Sequence, residues 1–90
     1  MPLTKKLKII NDLGLHGRAA AKIVTLANSH CSDLVFIKDG IEVDGSSILS
    51  ILTLACPQGT EIEARTTGKD ADELMENLNE LFAKKFGEGK

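Results

Sequence analysis

His16 lies in the run Asn11-Asp12-Leu13-Gly14-Leu15-His16-Gly17-Arg18-Ala19-Ala20, at the join between two kinds of segment. Asn11 to Gly14 is made of loop formers, whereas Ala19, Ala20, Ile23, Val24 and Ala27 recur at helical spacing. The spacing predicts a helix that starts near His16. A helix N-terminus leaves about four backbone N–H groups without intrahelical partners, and with the positive end of the macrodipole these form an anion site. The same positive field biases an imidazole toward its neutral form, the one with a nucleophilic nitrogen. The chemistry on offer is attack on phosphorus by His16. The N–H groups of Gly17 and Arg18 would then bond the phosphate oxygens, and the Arg18 guanidinium would add charge-assisted bonds. Phosphoryl transfer asks for little beyond such positioning and charge. On spacing alone, an unusual helix cap explains His16 as well as a nucleophile does.

Other reactive residues carry weaker patterns. His30, at the far end of the same helix, reads as a favourable contact with the negative helix end. Cys31 and Cys56 lack the spacing of a metal site and read as free thiols packed as small apolar residues. Glu73, Glu76 and Glu80 read as solvated helix surface, so no metal and no cofactor are expected. Ser46 and Ser47 have the types that cap a helix. The apolar stretch behind them, with Ile48, Leu49 and Leu52, is too short to be phased by periodicity.

The elements that must position these residues are legible in outline. Leu3 to Ile10 alternates Leu7 and Ile9 with Lys6 and Lys8, a half-buried first strand. Leu34 to Lys38 and Ile41 to Asp44 flank Asp39-Gly40, which suits the positive φ angles of a tight hairpin turn. Ile48 to Leu54 reads as a short helix stopped by Pro57 and Gly59, and Glu61 to Thr67 as a fourth strand with one wet face. Ala71, Leu74, Met75, Leu78, Leu81 and Phe82 make an amphipathic last helix. Gly87 to Lys90 reads as a fraying tail. The order β-α-β-β-α-β-α predicts an α+β fold, a two-layer open-faced sandwich with helices on one face of a four-stranded antiparallel sheet.

Composition narrows the function classes. Ninety residues suffice for one domain, 1–90, and leave no room for a cleft between two. A formal net charge of −2, with no Trp or Tyr and three Phe, argues against nucleic-acid binding. No apolar run reaches the length of a membrane span, and Met1 to Lys8 lacks the apolar stretch of a signal peptide. The expected setting is the cytoplasm.

The stretch Gly14-Leu15-His16-Gly17-Arg18-Ala19-Ala20 resembles the active-site signature of the HPr family. These are the histidine-containing phosphocarriers of the bacterial phosphoenolpyruvate-dependent phosphotransferase system, which serves sugar transport. The resemblance extends through Asp39-Gly40, Ser47-Ile48-Leu49, Gly59-Thr60 and the last helix. It implies that His16 is phosphorylated at Nδ1 and that Arg18 helps hold the phosphate. It also implies that Ser47 is a regulatory serine and that Ile48, Leu49 and Leu52 form a partner-docking patch. Enzyme I would be the donor and IIA-type proteins the acceptors, with a serine kinase or phosphorylase as a further partner of a monomeric carrier that is not an enzyme. Gly17 and Ala19 depart from the family's usual Ala or Thr and Pro, which leaves a less preorganised helix start. Leu13 before Gly14 is similar to the nitrogen-related branch. The alternative function is a regulatory binding module of this fold in which His16 phosphorylation acts as a switch. A hydrolase using His16 is a third class, and the sequence shows no Ser or Cys triad for it.

Overall fold

Asp39 and Gly40 take φ angles of 53° and 80°, and this left-handed pair folds strands β2 (Ser32–Lys38) and β3 (Ile41–Asp44) into the expected hairpin. The computed structural model describes residues 2–88. Its other elements are β1 (Leu3–Lys8), α1 (Gly17–Asn28), α2 (Ile48–Leu52), β4 (Glu61–Gly68) and α3 (Ala71–Ala83), then a 3₁₀ turn at Lys85–Gly87. The sheet order is β1-β4-β2-β3, antiparallel throughout. In register, Ala64 of β4 pairs with Lys5 of β1 on one side and Phe36 of β2 on the other. The element order and the two-layer α+β architecture are those the sequence predicts.

Alternation decides which sheet face is covered. Leu7, Leu34, Phe36, Ile62 and Ala64 are buried against Ala19, Ala20, Ile23 and Ala27 of α1 and Leu74, Met75, Leu78 and Phe82 of α3. The opposite face carries Arg65 and Glu42, which pair at 2.8 Å.

Element ends shift by about a turn's worth of local geometry. β1 stops at Lys8 rather than Ile10, because its partner β4 begins only at Glu61. Ile9 still exchanges backbone bonds with Thr60 and Gly59 at 2.8 and 2.7 Å. β2 begins two residues early, at Ser32, which pairs with Gly68. α2 ends at Leu52 rather than Leu54, followed by Ala55 at φ 51°.

The end of the chain departs most from expectation. Gly87 and Glu88 fold back onto the domain instead of fraying; Gly89 and Lys90 lie outside the described residues. Phe86 is buried and stacks edge-on against Phe82, with ring centroids 4.9 Å apart. Lys22 Nζ donates to its carbonyl at 2.6 Å. Lys85 and Phe86 both sit in the left-handed region, at φ 57° and 56°. Each such residue costs on the order of 1 kcal/mol or more; burial of the Phe86 ring, worth about 1.5–3 kcal/mol, helps hold them there.

Among the described residues, no helix is long and apolar enough to cross a membrane.

Candidate functional site

The loop before α1 is pinned at three points. Asn11 is fully buried and donates from Nδ2 to the Gly14 carbonyl at 2.8 Å, while the Gly14 N–H bonds the Asn11 carbonyl at 3.2 Å. Gly14 has φ 68°, and a Cβ there would stand 2.5 Å from the Cys56 carbonyl oxygen, so only glycine fits. Leu15 N–H then bonds that same oxygen at 2.9 Å. The segment following α2 thereby fixes where α1 begins.

His16 is the N-cap of α1, with extended backbone at φ −90° and ψ −179°. The first helical bond runs from Ala20 N–H to the His16 carbonyl at 2.9 Å, so the N–H groups of Gly17, Arg18 and Ala19 precede it. That of Arg18 turns to the imidazole, donating to Nδ1 at 3.2 Å. Across the ring, Nε2 lies 2.7 Å from Glu88 Oε2. A backbone N–H can only donate and an ionised carboxylate can only accept. Nδ1 therefore holds a lone pair and Nε2 holds the proton. Burial works against ionisation of Glu88, but hydrogen bonds from His16, Asn11 and the Leu13 N–H outweigh it and hold the carboxyl below its ordinary value. The Asn11 bond, from Nδ2 to Glu88 Oε2, is 2.8 Å long.

Arg18 is exposed beside this ring, and among the described residues its guanidinium takes no acceptor. Gly17 has open space around it: no atom lies within 4 Å of where a Cβ would stand. His16, Gly17 and Arg18 thus come together as an outward-facing group of one nucleophilic nitrogen, backbone N–H donors and one cation.

The second set of candidates lies on α2, which packs beside α1. Ser47 caps this helix, its Oγ accepting from Ser50 N–H at 3.3 Å. Among the described residues Leu49 is the most exposed large apolar one, at 76%, and Ile48 is exposed at 39%. Leu52 differs: it is half-buried and packed against the core.

The remaining candidates have structural partners. His30 Nδ1 is 2.9 Å from the Leu26 carbonyl, beyond the end of α1. A ligand atom each from His30, Asp70 and Glu73 falls within 4.8 Å of the others. Yet Asp70 is already engaged by the Cys31 N–H, at 3.1 Å to each oxygen, and by Ser32 Oγ at 2.5 Å. Those bonds, Ser32 first, hold its carboxyl below the ordinary value, and the arrangement ties β2 to the start of α3. Both cysteines are free; Cys56 is buried as expected, but Cys31 is exposed. Burial pushes the Cys56 thiol up.

Three residues of the site escape sequence reasoning. Glu88 is 72 positions from His16, and no local pattern joins them. Leu13, 65% exposed, flanks the site as a bare apolar side chain. Asn11 did leave a trace: Leu7, Ile9 and Asn11 continue one inward-facing alternation, so a polar residue falls on a buried phase.

The chain is similar to known proteins over nearly its whole length. Residues 3–84 match the family model described as the PTS HPr component phosphorylation site. The phosphocarrier protein HPr of Cupriavidus necator is 40% identical over 98% of this chain and 99% of its own. That of Pseudomonas aeruginosa is 41% identical over 94% and 96%. The crystal structure of HPr-C-His from Thermoanaerobacter tengcongensis superposes with a TM-score of 0.93 at 33% identity, covering 98% of this chain and 99% of that one.

Proposed function

The chain belongs to the HPr family of phosphocarriers of the phosphotransferase system, and from that premise we propose that Nδ1 of His16 accepts a phosphoryl group from enzyme I and yields it to IIA-type proteins. The observation that carries this reading is the lone pair on Nδ1, directed to the N-terminus of α1 and, among the described residues, bonded there only by the Arg18 N–H at 3.2 Å. In the transfer, that lone pair forms the N–P bond as the donor's bond to phosphorus breaks, and the bonding pair leaves with the donor. The Arg18 N–H is then released from Nδ1 to a phosphoryl oxygen, where the Gly17 N–H and the Arg18 guanidinium can join it. The carrier is consumed and regenerated stoichiometrically and does not act as an enzyme.

Ile48 and Leu49 supply the apolar contact for both partners, with Leu52 contributing its exposed edge. Ser47 stands at the head of the same short helix. A phosphate placed there by a serine kinase would have to be desolvated against each docking partner, which makes Ser47 a regulatory position.

Incubation with phosphoenolpyruvate and enzyme I should add one acid-labile phosphate, seen by intact mass and lost after mild acid. Transfer of that phosphate to a IIA-type protein completes the test. Retained label with no onward transfer would instead make the chain a regulatory module switched by His16 phosphorylation.

A further inference from the structure

We propose that Glu88 is a positioning residue for phosphoryl transfer, its carboxylate fixing the tautomer of His16 and balancing the charge that the ring gains with phosphorus. The inference rests on His16 being the acceptor, as proposed above, and deepens that reading. Two independent observations carry it.

The first is the opposed polarity of the ring's partners. The Arg18 N–H on Nδ1 and the Glu88 carboxylate on Nε2 admit only one proton placement, with the nucleophilic lone pair facing the anion site. The carboxylate is itself held: Asn11 Nδ2 donates to the same Oε2 that faces the ring, and Asn11 is in turn locked to Gly14. The side chains of His16 and Glu88 are 24% and 13% exposed, so water competes only partly for their bond.

The second is the way the chain is shaped to deliver Glu88. Two successive non-glycine residues, Lys85 and Phe86, are held left-handed, and Gly87 follows at φ 82°. Phe86 anchors this turn in the core, and Lys22 from α1 clamps its carbonyl. The Glu88 N–H closes on the Lys85 carbonyl at 3.0 Å. Such strain persists where surrounding structure over-determines it. Here it aims a carboxylate at the reactive ring.

The charge balance follows. When the Nδ1 lone pair bonds phosphorus and the donor departs with the broken bond's electron pair, the proton stays on Nε2 and the ring becomes cationic. Glu88 faces that cation at hydrogen-bond distance. It keeps the Nε2 proton in place, and a phosphoryl group leaves a protonated ring more readily than a neutral one. When the N–P electron pair returns to Nδ1, the ring is neutral again in its original tautomer. Glu88 therefore serves both directions of transfer.

The test uses Glu88→Ala and Glu88→Gln in the full chain, with His16→Ala alongside. Single-turnover transfer from phosphorylated enzyme I should slow on the order of 10- to 100-fold in Glu88→Ala, the scale typical of losing the hydrogen-bond partner that orients a metal-binding histidine. The loss should fall in kcat rather than KM. Glu88→Gln, which can still accept from Nε2–H, should fall between. Imidazole ¹⁵N shifts should show Nε2–H in the wild type and a mixture of tautomers in Glu88→Ala. Wild-type rates with unchanged ¹⁵N shifts in Glu88→Ala would overturn the proposal. So would a defect confined to KM, which would make the turn a docking element. Labelling of His16→Ala would defeat the parent reading instead, whatever Glu88 does.

Discussion

The two histidines of this chain stand at opposite ends of one helix and meet opposite halves of the peptide unit. At the N-terminal end of α1 the backbone offers donors, so His16 Nδ1 accepts from Arg18 and carries no proton. Past the C-terminal end it offers acceptors, so His30 Nδ1 must donate, to the Leu26 carbonyl at 2.9 Å. Helix polarity thus biases the two rings toward opposite tautomers, and at His16 the Glu88 carboxylate on Nε2 completes the assignment. One keeps a lone pair on the nitrogen nearest the helix; the other spends that nitrogen on capping a carbonyl. A histidine beside a helix is therefore no nucleophile by composition. The end at which it sits decides.

The widest separation between the two rings is expected in labelling. His16→Ala should abolish the acid-labile phosphate, and His30→Ala should retain it in full, as read by intact mass with phosphoenolpyruvate and enzyme I. Equal labelling of both variants would break the comparison. Next in size is the cation that only the N-terminal end carries. Arg18→Ala should fold normally, since the side chain is exposed, yet transfer about 100-fold more slowly by rapid quench, the scale of losing one donor to a developing anion. Wild-type rates in both directions would remove Arg18 from the chemistry.

Docking should show the same asymmetry more mildly. Leu49→Asp buries an unpaired carboxylate against any partner seated on α2 and should raise the KM for enzyme I by roughly 10-fold with the circular dichroism unchanged. Asn28→Asp, exposed at the His30 end of α1, should leave KM as it was. An effect at Asn28 equal to that at Leu49 would move the docking surface. The smallest expected change is in stability. Gly17 is the first residue of α1, is not left-handed, and has room for a Cβ, so Gly17→Ala should stabilise the fold by about 0.4–1 kcal/mol. A lowered Tm would mean that the helix start needs glycine's freedom.

Sequence reasoning reached the parts of this molecule that rest on local patterning. The Asp39-Gly40 hairpin, the alanine stripe of α1 and the Leu74-Met75-Leu78-Phe82 face of α3 all follow from spacing, because each is decided within a few residues. The cap at His16 was legible for the same reason. Leu52 was not: a five-residue helix shows no phase of its own, and only packing against the core separates its half-buried side chain from exposed Leu49. The fraying tail failed because Gly87 next to Glu88 looks like a loose end, whereas the Phe86 ring just ahead of it finds Phe82. Long-range partnership of that kind leaves nothing in the local string of letters. Asn11 lies between these cases, its buried phase visible and its partners hidden.

The unequal burial of the two thiols gives the molecule a ready attachment point for a spectroscopic reporter. Cys56 is enclosed and its thiol is pushed up, so little thiolate forms and reagents reach it poorly. Cys31 is exposed just beyond the C-terminal end of α1. The twelve residues of that helix put roughly 18 Å between its two ends. A maleimide dye should therefore couple at one position, well away from His16. It could follow tumbling and partner association by fluorescence anisotropy while leaving the His16 ring untouched.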